Sequence, residues 1–147
     1  MPPLLLCVQE TTGGTRFYGV VSCTVMAMIL VVDDEEYILQ VLKILLQAKG
    51  YDVITASDGS KAIGVVRSVE DVNLVISDVR MSPMDGIELL KLIHEERPGL
   101  PVIMLTAYGS PKSMLEAAGL GSFAYLSKPF SVEEVLDTVR RGLEASS

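Results

Sequence analysis

A chain of 147 residues has room for one domain with a buried core and not for two. With 49% apolar residues, 5% aromatics and no Trp, that core has to be built from Val, Ile, Leu and Met. A net charge of -7 argues against a surface that grips nucleic-acid phosphates, and no apolar run approaches the ~20 residues of a membrane span, so neither partner is expected.

Residues 1–27 differ from the rest of the chain. They carry only Glu10 and Arg16 as charges and read as turn-rich or weakly β. Met1-Pro2-Pro3 lacks the basic residues that open a secretory signal, and Cys7 and Cys23 are too few for a disulfide framework, so a reducing cytoplasm is the expected location. With Met26 and Met28 just ahead of the first patterned segment, this stretch is expected to be a leader outside the domain core. An extra strand or arm packed on the domain is the other reading. The domain itself is expected over 28–144, with 145–147 as a tail.

From Met28 the pattern becomes regular. Ile29 to Val32 is a short apolar run ending in Asp33-Asp34, the signal of a buried strand. Apolar residues at 38, 41, 42, 45 and 46 then mark one face of a helix over Glu35 to Lys49, stopped by Gly50. Val53 to Ala56 reads as the second strand, with a helix over 60–69 after Asp58-Gly59. Leu74 to Asp78 is the third strand, and Gly86 to Glu96 the third helix, closed by Pro98-Gly99. Val102 to Thr106 is the fourth strand. Ser110-Pro111 opens a fourth helix as N-cap and first residue, and Gly119 lies inside it. Phe123 to Leu126 is the fifth strand. Ser131 to Glu134 is a capping box that starts a fifth helix running to about Leu143.

Five apolar strands alternating with five helices predict an α/β fold, a parallel sheet covered on both faces. Ligands of such sheets bind beyond the carboxyl ends of the strands, where the strand order switches. At those ends stand Asp33 and Asp34, Asp78, Thr106 and Lys128. Each alone has an ordinary explanation: a helix cap, a turn, strand filler, a solvated charge. Together they do not, because two carboxylates ~5 Å apart repel by about 3 kcal/mol at an effective dielectric of roughly 20. Such a cluster calls for a cation, and hard oxygen donors suit Mg²⁺. A carboxylate-bound Mg²⁺ beside a lysine and a hydroxyl suits phosphoryl transfer, with one Asp as nucleophile or metal ligand.

Five motifs stand in order on the expected strands: Val31-Val32-Asp33-Asp34-Glu35, Ser77-Asp78-Val79-Arg80-Met81, Met84-Asp85-Gly86, Leu105-Thr106-Ala107 and Tyr125-Leu126-Ser127-Lys128-Pro129-Phe130. With them, Ile29 to Leu143 resembles the receiver domain of two-component response regulators. Leu105 to Ser110 and Leu126 to Phe130 look most like receivers of the nitrogen-regulation type. The resemblance implies a flavodoxin-like sheet of strand order 2-1-3-4-5. It implies that Asp78 is the phosphoacceptor, taking its phosphoryl group from a histidine kinase or phosphotransfer protein. Asp34, Asp78 and the main-chain carbonyl of Arg80 would hold Mg²⁺, with Asp33 acting through a water. Lys128 would contact the phosphoryl oxygens and pair with Asp78 when it is unmodified. Thr106 would bond the phosphoryl group, beside a small Ala107 that leaves room for it. Tyr125 matches the aromatic position that follows phosphorylation together with Thr106, and Lys128-Pro129 the position of a cis peptide.

Two departures stand out: Ser82 precedes Pro83, and Arg80 projects near the site. An aspartate-nucleophile phosphatase of the haloacid dehalogenase type would need a second Asp two residues after the nucleophile, where Asp78 is followed by Arg80. An interaction-only pseudo-receiver is opposed by the presence of all five site residues. Gly119 to Ala124 fits G-x-G-x-x-A but lies between helix and strand in the reverse of the dinucleotide context. His94 reads as part of a solvated helix face. The expected output is the face of the fourth helix, fifth strand and fifth helix, carrying Lys112, Arg140 and Arg141. That face would meet an acidic partner or a second copy. The receiver either stands alone or belongs to a longer regulator or hybrid kinase.

Overall fold

The computed structural model describes residues 27–82, 84–106, 119 and 121–146. Residues 1–26 of the expected leader, Ala107, and the expected fourth helix from Ser110-Pro111 to residue 118, Lys112 included, lie outside the described residues; Gly119 is helical. Five strands, β1 (Met28–Val32), β2 (Asp52–Ala56), β3 (Val72–Asp78), β4 (Val102–Thr106) and β5 (Ala124–Ser127), form one parallel sheet of order β2-β1-β3-β4-β5. The helices among the described residues are α1 (Glu36–Gln47), α2 (Gly59–Ser68), α3 (Gly86–Glu96) and a C-terminal helix (Val132–Ser146).

Successive strand side chains point to opposite faces, and here both faces are covered. Ile29 and Val31 of β1 turn toward Leu39, Leu42 and Leu46 of α1 and Val135 and Val139 of the C-terminal helix. Leu30 and Val32 turn the other way, toward Ala62 and Val66 of α2 and Leu90 and Ile93 of α3. That division is why β1 reads as an unbroken apolar run. The edge strand β2 instead exposes Asp52 and Thr55, polar residues that suit an edge.

The element ends follow local chemistry. Gly50 takes φ +89 just after α1, a left-handed conformation that costs glycine little. The Asp58 carboxylate accepts the Lys61 N–H at 2.8 Å to cap α2, and Asp85 accepts the Glu88 N–H at 2.8 Å to cap α3. Ser131 Oγ accepts the Glu134 N–H at 3.1 Å in the C-terminal helix. That helix continues to Ser146, past the expected end, because Glu144 and Ala145 are good helix formers with no breaker between. β3 begins two residues before Leu74: the register slips between Met28 and Ile29, and exposed Asn73 takes the Met28 N–H on its side chain at 2.9 Å.

Candidate functional site

The strand order brings β1 and β3 together at the sheet centre, with β4 and then β5 outside them. The acidic residues at the ends of β1 and β3 are therefore neighbours. One carboxylate oxygen from each of Asp33, Asp34 and Asp78 lies within 4.8 Å of the others. Asp33 and Asp78 are buried, whereas Asp34 is exposed. Asp33 is held on both oxygens: Oδ1 accepts the Glu35 N–H at 2.9 Å, and Oδ2 accepts from Lys128 Nζ at 3.0 Å. The N-cap position of α1 is Glu35, not Asp34. Asp34 instead faces an open cleft with Val79, Arg80, Met81, Ser82 and Asp85.

Lys128 arrives from beyond β5, its N–H donated to the carbonyl of Thr106 at 2.6 Å and its peptide to Pro129 cis. Its ammonium lies 3.0 Å from Asp33 and 3.6 Å from Asp78. The expected pairing with Asp78 is thus shared, with Asp33 the nearer partner, because Asp33 is the more deeply buried and has the oxygen free of the Glu35 N–H turned toward the lysine. Thr106 is buried at the end of β4. Tyr125 packs half-buried against the Leu30 side of the core, and its buried hydroxyl has no hydrogen-bond partner among the described residues.

The electrostatics follow from two buried acids, Asp33 and Asp78, with exposed Asp34 beside them and the Lys128 ammonium in contact with both buried ones. Burial, then repulsion from Asp33, pushes the Asp78 carboxyl up from 3.8 to about 6; Lys128 and the Arg80 N–H oppose this, and Asp34 adds to it. Burial likewise raises Asp33 against the pull of the Glu35 N–H and Lys128. For Lys128, burial alone would lower the pKa, but the bond to Asp33 and the charges of Asp78 and Asp33 outweigh it and raise it. The site offers three hard oxygen donors within reach of one another, and such donors fit a small divalent cation.

The loop from Val79 to Asp85 carries Arg80 past this cluster. Gly86 closes the loop: its N–H donates to the Val79 carbonyl at 2.8 Å, and a Cβ there would collide with the Asp78 carbonyl oxygen and come within 2.9 Å of Val79 Cα. Ser82 and Asp85 also line the cleft, and neither is among the site residues expected from the sequence. The nearest signal is the Met84-Asp85-Gly86 motif, whose glycine has a reason only in three dimensions. The basic character expected of Arg140 and Arg141 needs correction. Arg140 pairs with Asp137 at 2.7 Å and Glu144 at 3.2 Å, and Arg141 with Asp137 at 3.0 Å. One helical turn places these acids beside both arginines, so their charge is largely answered within the helix. His94 is exposed near the end of α3, its ring against Gly121.

A parallel sheet of this order with an acidic crevice at the switch point is a doubly wound domain of the flavodoxin-like class. The family model of the response regulator receiver domain matches residues 29–140. The chain belongs to that family and is a receiver domain of two-component signalling. It is 40% identical over 121 residues to the transcriptional regulatory protein GlrR of Escherichia coli K12, covering 82% of this chain and 27% of GlrR. The chain thus spans about a quarter of that relative's length. Among solved structures it matches the beryllofluoride-activated NtrC4 receiver domain dimer at 34% identity and TM-score 0.79, covering 83% of this chain and all of that one. The chemotaxis protein CheY4 of Vibrio cholerae matches at 37% identity and TM-score 0.76, covering 80% of this chain and 99% of that one. The family match, with the absence of a second acid two residues after Asp78, leaves the phosphatase reading without support. Among the described residues no helix is long and apolar enough to cross a membrane.

Proposed function

We propose that Asp78 is the phosphoacceptor of this receiver, and that the donor is the phosphohistidine of a histidine kinase or phosphotransfer protein. A carboxylate oxygen of Asp78 attacks phosphorus, the bond from phosphorus to the donor nitrogen breaks, and the histidine leaves as imidazole. The product is an acyl phosphate on Asp78. Asp34, Asp78 and the Arg80 carbonyl would hold Mg²⁺, with Asp33 acting through a water. The ion, when bound, offsets the negative charge of the carboxylates and of the phosphoryl oxygens. The observation that carries the reading is the cluster itself: three carboxylate oxygens within 4.8 Å, with the Lys128 ammonium 3.6 Å from Asp78.

The remaining residues divide the work. Lys128 is already charged and aimed at the acceptor, ready to bind phosphoryl oxygens. Thr106 donates its hydroxyl to the phosphoryl group, beside Ala107. Asp78 needs to be a carboxylate to attack, and with a pKa of about 6 it is mostly ionised in a neutral cytoplasm. The same residues support hydrolysis of the acyl phosphate, the only reactions proposed for the domain being its own phosphorylation and dephosphorylation. The added phosphate charge draws Thr106 inward, and Tyr125 follows. The face of the fourth helix, β5 and the C-terminal helix then meets a downstream protein, an output domain or a second copy of the chain. With Arg140 and Arg141 already paired, that contact is expected to exchange ion pairs rather than to rest on a bare basic patch.

The test is phosphoryl transfer from acetyl phosphate, and from a histidine kinase, with Mg²⁺ present. Intact mass should show one added phosphoryl group, stable in acid and lost in base, and Asp78→Asn should show none. Undiminished incorporation in Asp78→Asn would overturn the assignment.

A further inference from the structure

The outer wall of the cleft is formed by Val79, Arg80, Met81, Ser82 and Asp85; the Arg80 N–H donates to Asp78, and its carbonyl is the one proposed above to hold the metal. The root of this loop is tied down, the Val79 N–H donating to the Leu105 carbonyl and the Gly86 N–H to the Val79 carbonyl, each at 2.8 Å. Its far end is held differently. Met84 lies directly over Gly59, the first residue of α2. A Cβ at Gly59 would fall 2.7 Å from Met84 Sδ, 2.9 Å from its Cγ and 3.0 Å from its Cβ. Rotation of the methionine could move the sulfur aside, but its Cβ is placed by the main chain. Gly59 in turn is anchored. The Asp58 cap holds the first turn of α2, and the Ala56 carbonyl at the end of β2 accepts the Asp33 N–H at 3.2 Å. A chain of contacts therefore leaves Asp33, crosses from Gly59 to Met84, and returns through Gly86 to Asp78.

We propose that Met84, seated on Gly59, is a positioning residue that sets the distance of the Arg80 loop from the acidic cluster. The inference rests on the metal site proposed above. A glycine at the first position of a helix is otherwise a poor choice, since Ala favours the helix. Here the absent side chain is what lets the loop approach. Removing the seat by Gly59→Ala pushes the loop outward, whereas Met84→Ala releases it without adding an atom.

The test compares Gly59→Ala, Met84→Ala and the double variant in the full chain. Three quantities are read: Mg²⁺ affinity by calorimetry, amide exchange of residues 79–86 in metal-free protein, and thermal stability. Gly59→Ala should weaken Mg²⁺ binding by about tenfold, the scale seen when groups that orient metal ligands are altered, and should speed exchange across the loop. Met84→Ala should have a smaller effect in the same direction. The double variant should lose less Mg²⁺ affinity than the sum of the two single losses, since the Sδ and Cγ contacts are gone and only the 3.0 Å contact with the Cβ of residue 84 remains. Lower thermal stability with Mg²⁺ affinity and loop exchange unchanged would make Met84 a core residue only, and overturn the proposal. Additive losses in the double variant would overturn it too. Where Gly59→Ala does not fold, Met84→Ala carries the test by the same readings. The exchange arm needs no metal. Failure of Asp34→Ala to weaken Mg²⁺ binding therefore counts against the metal site, and unchanged loop exchange counts against this contact.

Discussion

The middles and the carboxyl ends of the same two strands are built on opposite terms. Within β1 and β3, Ile29 to Val32 and Leu74 to Ile76 are almost wholly buried among aliphatic side chains, where burial stabilises by roughly 25 cal/mol per Å² of apolar surface. One residue beyond Val32, and at the end of β3, the chain places Asp33 and Asp78, also buried, with one ammonium between them. The interior of the sheet is settled by packing. Its end instead crowds carboxylates around one ammonium, an arrangement that suits a small cation.

Substitutions should separate the two regions in sign as well as size. The largest effect is expected in the interior. Leu42 is fully buried between α1 and the sheet, so Leu42→Ala should destabilise by about 2–5 kcal/mol in urea unfolding while Mg²⁺ affinity in the folded protein stays near its original value. The strand end should respond the other way. Because the Asp78 carboxyl sits above its ordinary value in the folded protein, the native state binds more protons than the unfolded chain between 3.8 and about 6. Stability of the metal-free protein therefore falls as pH rises through that window and stays low above it. Asp78→Asn removes this contribution and should raise metal-free stability at pH 7.5 by about 1–3 kcal/mol, with a flatter profile between pH 4 and 6. A loss of stability would mean that Lys128 outweighs the repulsion. The smallest effect belongs to neither region. Gly64 is exposed in α2 and a Cβ there would meet nothing within 4 Å, so Gly64→Ala should stabilise by about 0.5–1 kcal/mol with no change in phosphorylation.

The same contrast explains what is legible in the sequence alone. The strands are legible because a strand covered on both faces needs apolar residues at every position, and turn residues such as Asp58-Gly59 and Pro98-Gly99 punctuate them. The acidic residues are legible because strand ends converge in a parallel sheet once the strand order is known. Distances between separate segments are not. Nothing in the chain order says that Lys128 lies nearer Asp33 than Asp78, that Asn73 occupies a slipped register, or that Gly59 and Gly86 are each needed for the approach of another loop. The pairing of Arg140 and Arg141 with Asp137 and Glu144 is a different case. Their spacing along a helix already announces it, and it shows that basic residues make a basic patch only when their own helix leaves them unanswered.

The strand-end carboxylates crowd one another, the proposed cation would relieve that crowding, and the side-chain carboxyl resonances of the aspartates report both directly. With ¹³C-labelled aspartate assigned through Asp78→Asn, the Asp78 carboxyl should titrate near pH 6 in metal-free protein. Saturating Mg²⁺ should move its midpoint down, toward or below the ordinary carboxylate range, as the added positive charge favours the ionised form. A midpoint near the ordinary value of 3.8 without metal, unmoved by Mg²⁺, would contradict that crowding.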